Sequence, residues 1–220
     1  QLCIETDYMV GAKLEGFDVM VKISDAKYMV LEGDEYLSSP MDLRPKFHLY
    51  KPNIAIINGI AWDHINVFPT FDIYVEQFKI FADKIEENGS LVYFQDDENI
   101  TKIANNARAD IKKFPYKELS EDLAKQYPLK IFGKHNLINL SAAMIALEQI
   151  GIKNEDFLKA IQSFKGASKR LELIAETPTQ AFYTDFAHSP SKLKATVEAM
   201  KNQFTDRKLT AVMELHTFSS

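Results

Sequence analysis

Cysteine is almost missing from this chain: Cys3 is the only one in 220 residues. That excludes a disulfide framework and any zinc site built on thiolates, and it fits a reducing compartment. No apolar stretch approaches the length of a membrane-spanning helix, and the residues from Gln1 onward lack the basic-then-apolar order of a secretory signal. The expected address is the cytoplasm, with no membrane partner. Nor is there a block of Lys or Arg; at a formal net charge of -5 the chain has no basic face for nucleic acid. No repeat or low-complexity segment interrupts it. An initiator Met is lacking too, and Val212-Met213-Glu214-Leu215-His216 reads as a strand and its exit turn with little beyond, so a piece of a longer protein is expected.

What is present is an α/β pattern, and 46% hydrophobic content is enough to fill its core. Tyr28-Met29-Val30-Leu31 and Ile54-Ala55-Ile56-Ile57 are short apolar runs bounded by Gly, Pro and Asn, and they read as neighbouring parallel strands buried on both faces. Before them, Met9 to Ala12 and Phe17 to Val21 suggest a small strand pair. Phe71, Tyr74, Phe78, Phe81 and Ile85 recur at spacings of three and four, which predicts a helix over 71–87 ended by Asn88-Gly89. Ser90 to Phe94 returns as a strand and completes a βαβ unit.

Further on, helices are expected at 98–107, at 120–127 with Ser120 as N-cap, at 137–150 stopped by Gly151, and from a capping Asn154 to Ser163. Strands are expected at 111–116, 171–174 and 182–184. A helix should run from Ser189-Pro190 to Phe204, with a buried strand at 209–213. The texture changes near Ser168 to Arg170. A mostly parallel central domain, 1–168, is therefore expected to give way to the beginning of a second domain, 169–220.

The chemistry lies just past the strands, where open α/β sheets bind ligands. Glu32-Gly33-Asp34-Glu35-Tyr36 follows the first run and Trp62-Asp63-His64 the second. An acidic cluster can be a solvated loop, and an Asp-His pair a loop hydrogen bond. Placed together at adjacent strand ends, they instead suit one divalent cation of the Mg²⁺ or Mn²⁺ kind. Gly133-Lys134-His135-Asn136 with Asn139 opens a helix, as a plain N-cap or as a nucleotide contact. Lys169-Arg170 is either hinge surface charge or a phosphate clamp. Asp185 is a candidate for a ribose hydroxyl and His188 for a polar ligand in a cleft.

In this order, EGDEY at 32–36, WDH at 62–64, GKHNLIN at 133–139, Phe164-Lys165-Gly166 with Arg170-Leu171-Glu172, and DFAHSP at 185–190 make the chain resemble the Mur ligases. These are the ATP-dependent amide-forming enzymes of peptidoglycan synthesis. The resemblance implies a central ATPase domain followed by the start of a Rossmann-like C-terminal domain, with ATP and Mg²⁺ as cofactors. It implies Glu32 and His64 as magnesium ligands, with Asp63 toward the substrate cleft. His135, Asn136 and Asn139 would lie on the adenine side, Arg170 would reach the ATP phosphates and Asp185 the ribose, and His188 would lie in the interdomain cleft. The segment Asp42 to Tyr50, and Phe186 within DFAHSP, resemble the branch that joins a salvaged stem tripeptide to UDP-N-acetylmuramate. The L-alanine-adding branch is the alternative.

Departures from the family pattern also carry expectations. The Gly-rich phosphate loop, the UDP-binding domain and most amine-selecting groups are not in this sequence, so the chain alone is not expected to turn over. Phe78 stands where some members carry a modified lysine, and Lys79 is expected to face solvent. Two rival readings are a non-catalytic nucleotide-binding module of the same fold and a metal-dependent hydrolase using Glu32, Asp63 and His64.

Overall fold

A computed structural model describes residues 4–11, 19–62, 64–187 and 189–214, apart from the side chain at 121. The first sheet is small. Strand β1 (Thr6–Met9) pairs antiparallel with β2 (Val21–Lys22) and parallel with β3 (Tyr28–Leu31), in register Thr6↔Tyr28 to Met9↔Leu31. The expected strand pair therefore exists, shifted toward its outer ends; Ala12, Phe17 and Asp18 lie outside the described residues. Asp7 is buried in β1, where its carboxylate accepts the amide and hydroxyl of Ser24 at 2.8 and 2.7 Å, which holds its pKa below the usual range.

The expectation that β3 is buried on both faces fails. Met29 and Val30 are 49% and 56% exposed, because β3 leans chiefly on β1 and not on a covering helix. Nor are β3 and the next strand hydrogen-bonded neighbours. Strand β4 (Ile54–Ile57) belongs to a second, wholly parallel sheet of order β4-β5-β6, with β5 at Ser90–Phe94 and β6 at Lys112–Tyr116.

Helices α1 (Phe71–Asp83) and α2 (Glu98–Asn106) are the crossovers of that sheet. Thr70 caps α1 by accepting the Ile73 amide at 3.3 Å, and Asp97 caps α2 through the amides of Asn99 and Ile100 at 2.8 and 3.1 Å. Helix α1 stops before the expected 87. The chain turns instead through Asn88 in the left-handed region, while Ile85 stays in the core. Alternate residues of β5 point to opposite faces, as strand geometry requires. Leu91, fully buried, packs with Ile85, Ile100 and Ala104 on the α1/α2 side; Val92, also fully buried, packs with Ala142 on the other.

That other face is covered by α4 (Lys134–Glu148), reached through the short α3 (Glu121–Gln126), which Ser120 caps as expected. Helix α4 is apolar on two sides. Ile138, Ile145 and Ala146 meet β5 and β6, whereas Leu137, Leu140 and Leu147 meet Phe157 and Leu158 of α5 (Asn154–Ile161). Gly151 stops the preceding turn at φ 88°. Asn154 is the first residue of α5 rather than its cap; Lys153 holds the cap position without a side-chain bond.

Beyond this core, β7 (Glu172–Glu176) and β8 (Ala181–Thr184) form an antiparallel pair, followed by α6 (Pro190–Gln203) with Pro at its first position. The strand expected at 209–213 is not formed: Val212 is 96% exposed, with no neighbouring strand among the described residues to take up its backbone groups. The architecture is α/β, a parallel sheet flanked by helices.

Candidate active site

The acidic loop leaves β3 at Glu32, whose amide still bonds to Met9 O at 2.9 Å and whose carboxylate accepts the Gly11 amide. Gly11 lies so close that a Cβ there would stand 2.9 Å from Glu32 Oε2, the movable end of that side chain. Asp34 folds the loop back on itself. Its Oδ1 accepts the Tyr36 amide at 2.8 Å, its Oδ2 meets Lys46 Nζ at 2.5 Å, and its carbonyl takes the Phe47 amide at 3.2 Å. Burial raises the Asp34 pKa, but the Lys46 and Tyr36 bonds outweigh it and hold the carboxyl below its ordinary value. Residues 36–46 then form an arm closed by Leu37 against Pro45 and pinned at its tip by Arg44 on Asp42. Just past the arm the Tyr50 hydroxyl is buried without a hydrogen-bond partner among the described residues; burial, then the Asp34 charge, raises its pKa.

Beyond β4 the chain makes a tight turn on His64, a non-glycine residue at φ 54°. Its carbonyl accepts the amides of Val67 and Phe68 at 2.8 and 2.9 Å, and Trp62 Nε1 donates to Phe68 O at 2.9 Å. Backbone strain held by surrounding bonds in this way is a mark of functional turns. The turn aims the imidazole at the acidic loop. His64 Nε2 stands 3.6 Å from Glu35 Oε1, and its ring lies 4.9 Å from that of Tyr36. Glu35 Oε1 in turn accepts the Tyr74 hydroxyl of α1 at 3.3 Å.

The nucleotide-side candidates sit at the mouth of α4. Asn58 Nδ2 donates to Asn139 Oδ1 at 2.8 Å, tying the exit of β4 to the helix, and Asn136 Nδ2 closes the first turn on Phe132 O at 2.7 Å. Burial lowers the His135 pKa while the Asp185 carboxylate works against it, so these two groups feel each other. Asp185 Oδ2 accepts the Leu171 amide at 2.8 Å, and the Arg170 guanidinium lies 5.6 Å from the Phe186 ring centre. Lys169 and Leu171 flank Arg170 at positive φ, with the Phe186 amide on Lys169 O at 2.8 Å. One cluster thus joins His64 to Glu35 and Tyr36, and another joins Arg170 to the strand end bearing Asp185. Asp63 and His188 lie outside the described residues.

The resemblance gives Glu32 and His64 as ligands of one cation; the carboxylate standing 3.6 Å from the imidazole is that of Glu35. Tyr74 was legible only as part of the apolar stripe of α1, and Lys46 not at all. Lys79 points to solvent, paired with Glu76 at 3.2 Å, and Phe78 packs against Phe47 and Tyr74. The donor chemistry around His64, carboxylates and one imidazole, suits a hard cation that keeps most of its water. It is not a closed cage: among the described residues no three His, Cys, Asp or Glu side chains gather closely enough to hold a metal.

Residues 16–147 match the family model of the Mur ligase middle domain. The chain belongs to the Mur ligase family. It is 30% identical to the UDP-N-acetylmuramate–L-alanine ligase of Caldicellulosiruptor bescii, an alignment covering 96% of this chain and 50% of that one. It is 26% identical to the UDP-N-acetylmuramate–L-alanyl-gamma-D-glutamyl-meso-2,6-diaminoheptandioate ligase of Haemophilus influenzae, over 91% of this chain and 48% of that one. The fold matches the crystal structure of a murein peptide ligase from Psychrobacter arcticus with a TM-score of 0.66 at 21% identity, over 93% of this chain and 50% of that one. This Mur ligase chain thus spans about half the length of the curated relatives it matches. Among its described residues, no helix is long and apolar enough to cross a membrane.

Proposed function

We propose that this chain is the central nucleotide-binding part of an ATP-dependent ligase, with residues 169–220 beginning its C-terminal domain. The ligase joins the amine of L-Ala-γ-D-Glu-meso-diaminopimelate to the muramoyl carboxylate of UDP-N-acetylmuramate. The observation that carries this reading is the Asn58–Asn139 bond, because it fixes the helix that bears the adenine-side groups to the strand whose exit presents His64. Nucleotide and reacting carboxylate would then meet at one end of the sheet, where parallel sheets bind ligands.

Glu32 and His64 would hold the magnesium ion, which would supply charge neutralisation for phosphoryl transfer. His135, Asn136 and Asn139 would bind the base, Asp185 the ribose and Arg170 the phosphates. The carboxylate oxygen bonds to the γ-phosphorus as the bond to ADP breaks. The peptide amine then attacks the acyl carbon, phosphate departs, and the amine loses its proton. Such a sequence needs positioning and charge more than a protein nucleophile. The arm at 36–46, whose anchoring segment resembles the tripeptide-adding branch, supports a peptide as the incoming amine. The L-alanine reading is favoured by the likeness to the Caldicellulosiruptor enzyme.

The test is ADP release by the whole protein with UDP-N-acetylmuramate, Mg²⁺ and either tripeptide or L-alanine. Release with tripeptide supports the first reading, release with L-alanine alone moves the assignment to the second, and none with either, from folded protein, overturns both. In the same assay His64→Ala is expected to abolish ligation with little change in melting temperature. Its imidazole lies past the strand, outside the packed core, so a large fall in melting temperature would contradict that placement.

A further inference from the structure

We propose that Glu172 is a positioning residue for Arg170. Arg170 stands between two residues in a conformation that few side chains adopt, Lys169 at φ 56° and Leu171 at φ 47°. Residues other than glycine persist there only where their surroundings hold them. Each is held by a carboxylate. Glu172 Oε2 accepts the Lys169 amide at 2.6 Å and the Ser168 hydroxyl at 3.2 Å, and Asp185 Oδ2 accepts the Leu171 amide at 2.8 Å. The two carboxylates come from paired strands, since Glu172 opens β7 opposite Thr184, the last residue of β8. Two backbone bonds close the loop: the Arg170 amide donates to Ala167 O at 3.1 Å, and the Phe186 amide to Lys169 O at 2.8 Å.

Both carboxylates are used on backbone amides rather than on the guanidinium beside them, and Arg170 makes no ion pair among the described residues. Its guanidinium is exposed and lies 5.6 Å from the Phe186 ring centre. A planar cation left unpaired on a fixed backbone is ready for an anion from outside, and charge held in place beforehand needs no reorganisation when that anion arrives. Asp185 has the ribose as a second candidate partner, whereas both bonds of Glu172 go to the loop that carries Arg170. The phosphate as the target of Arg170 rests on the ligase reading above; the clamp of Glu172 on the Lys169 amide does not.

The experiment uses the whole protein. Without nucleotide, hydrogen exchange at the Lys169 amide is expected to run about tenfold faster in Glu172→Ala than in the wild type, with Glu172→Gln, which keeps a carbonyl acceptor, between them. With Mg-ATP and substrates, kcat for ADP release is expected to fall about 10- to 100-fold in Glu172→Ala while KM for UDP-N-acetylmuramate stays put. Two further variants separate positioning from stability. In an Arg170→Ala background Glu172→Ala is expected to cost nothing more, because its effect passes through the guanidinium. Lys169→Gly is expected to return most of the lost rate to Glu172→Ala, because glycine takes positive φ without a clamp. Equal losses with and without Arg170, or unchanged Lys169 exchange in Glu172→Ala, overturn the proposal alone. Full ligation by Arg170→Ala removes the phosphate role of Arg170 and overturns the proposal with it. A wild type that releases no ADP fails the ligase reading, and exchange at Lys169 then still decides the clamp.

Discussion

His48 sits in the short 3-10 turn at Lys46–Leu49, 8% exposed, with Nε2 at 2.8 Å from Gln77 O. Burial lowers its pKa and the Gln77 bond only partly resists; His135 is lowered by burial as well. Both imidazoles are thus kept neutral by the fold more than by the unfolded chain. The unfolded chain takes up the protons first, so the stability from these groups is complete above about pH 6.5 and falls as pH drops toward the folded pKa values. Asp34 acts in a separate window: its lowered pKa gives stability present above the ordinary carboxylate value and lost below it. The urea midpoint is expected to fall between about pH 7 and 5, and His48→Gln to flatten that slope. A midpoint constant over this range would refute the assignment. At this scale the sequence offered the right residue types but not their directions. Glu32 and Glu35 share an irregular loop with no period to say which faces His64, and only the Gly11 and Tyr74 contacts separate them.

Two strands that look alike on paper behave differently as elements. Tyr28–Leu31 and Ile54–Ile57 have the same length and apolar character and both lie at a sheet edge, yet β3 has exposed side chains while β4 places Ala55 and Ile57 in the core. Neighbours decide burial, and a strand does not encode its neighbours. The segment at 209–213 was misread for the same reason. Helices were read better because their periodicity names the buried face from within, as the Tyr74–Phe78–Phe81 stripe of α1 did. The contrast can be measured by urea denaturation. Leu91→Ala in β5 removes a fully buried side chain between α1 and α2 and is expected to cost about 2–5 kcal/mol. Met29→Ala on β3 is expected to stay within about 0.5 kcal/mol. Equal costs would mean that β3 is covered.

Over the whole molecule, the hairpin β7–β8 and α6 rest on the entrance of α4 through three rings. Phe132 lies 5.6 Å from Tyr183 and 6.3 Å from Phe204, and those two are 5.9 Å apart. Aromatic pairs of this kind contribute about 0.5–1.5 kcal/mol each beyond their area. Phe132→Ala is therefore expected to speed amide exchange in β8 and α6 by about tenfold, one factor of ten per 1.4 kcal/mol, while β5 keeps its protection. Faster exchange in β5 as well would show that the two regions unfold together. The sequence located the change of texture near Ser168 but could not show this seam, which depends on Phe132 meeting Tyr183 and Phe204, rings far from it along the chain.

Gly133, at φ 91°, lets the chain pass so close to α6 that a Cβ there would lie 2.7 Å from that of Ala199. Six positions along the same helix, Asn139 is fastened to Asn58 at the end of β4. A stiff rod is therefore gripped at one point by the C-terminal hairpin and helix and at another by the strand that leads to His64. A tilt of α6 is expected to reach that strand end through this rod, and Asn139→Ala to cut it off.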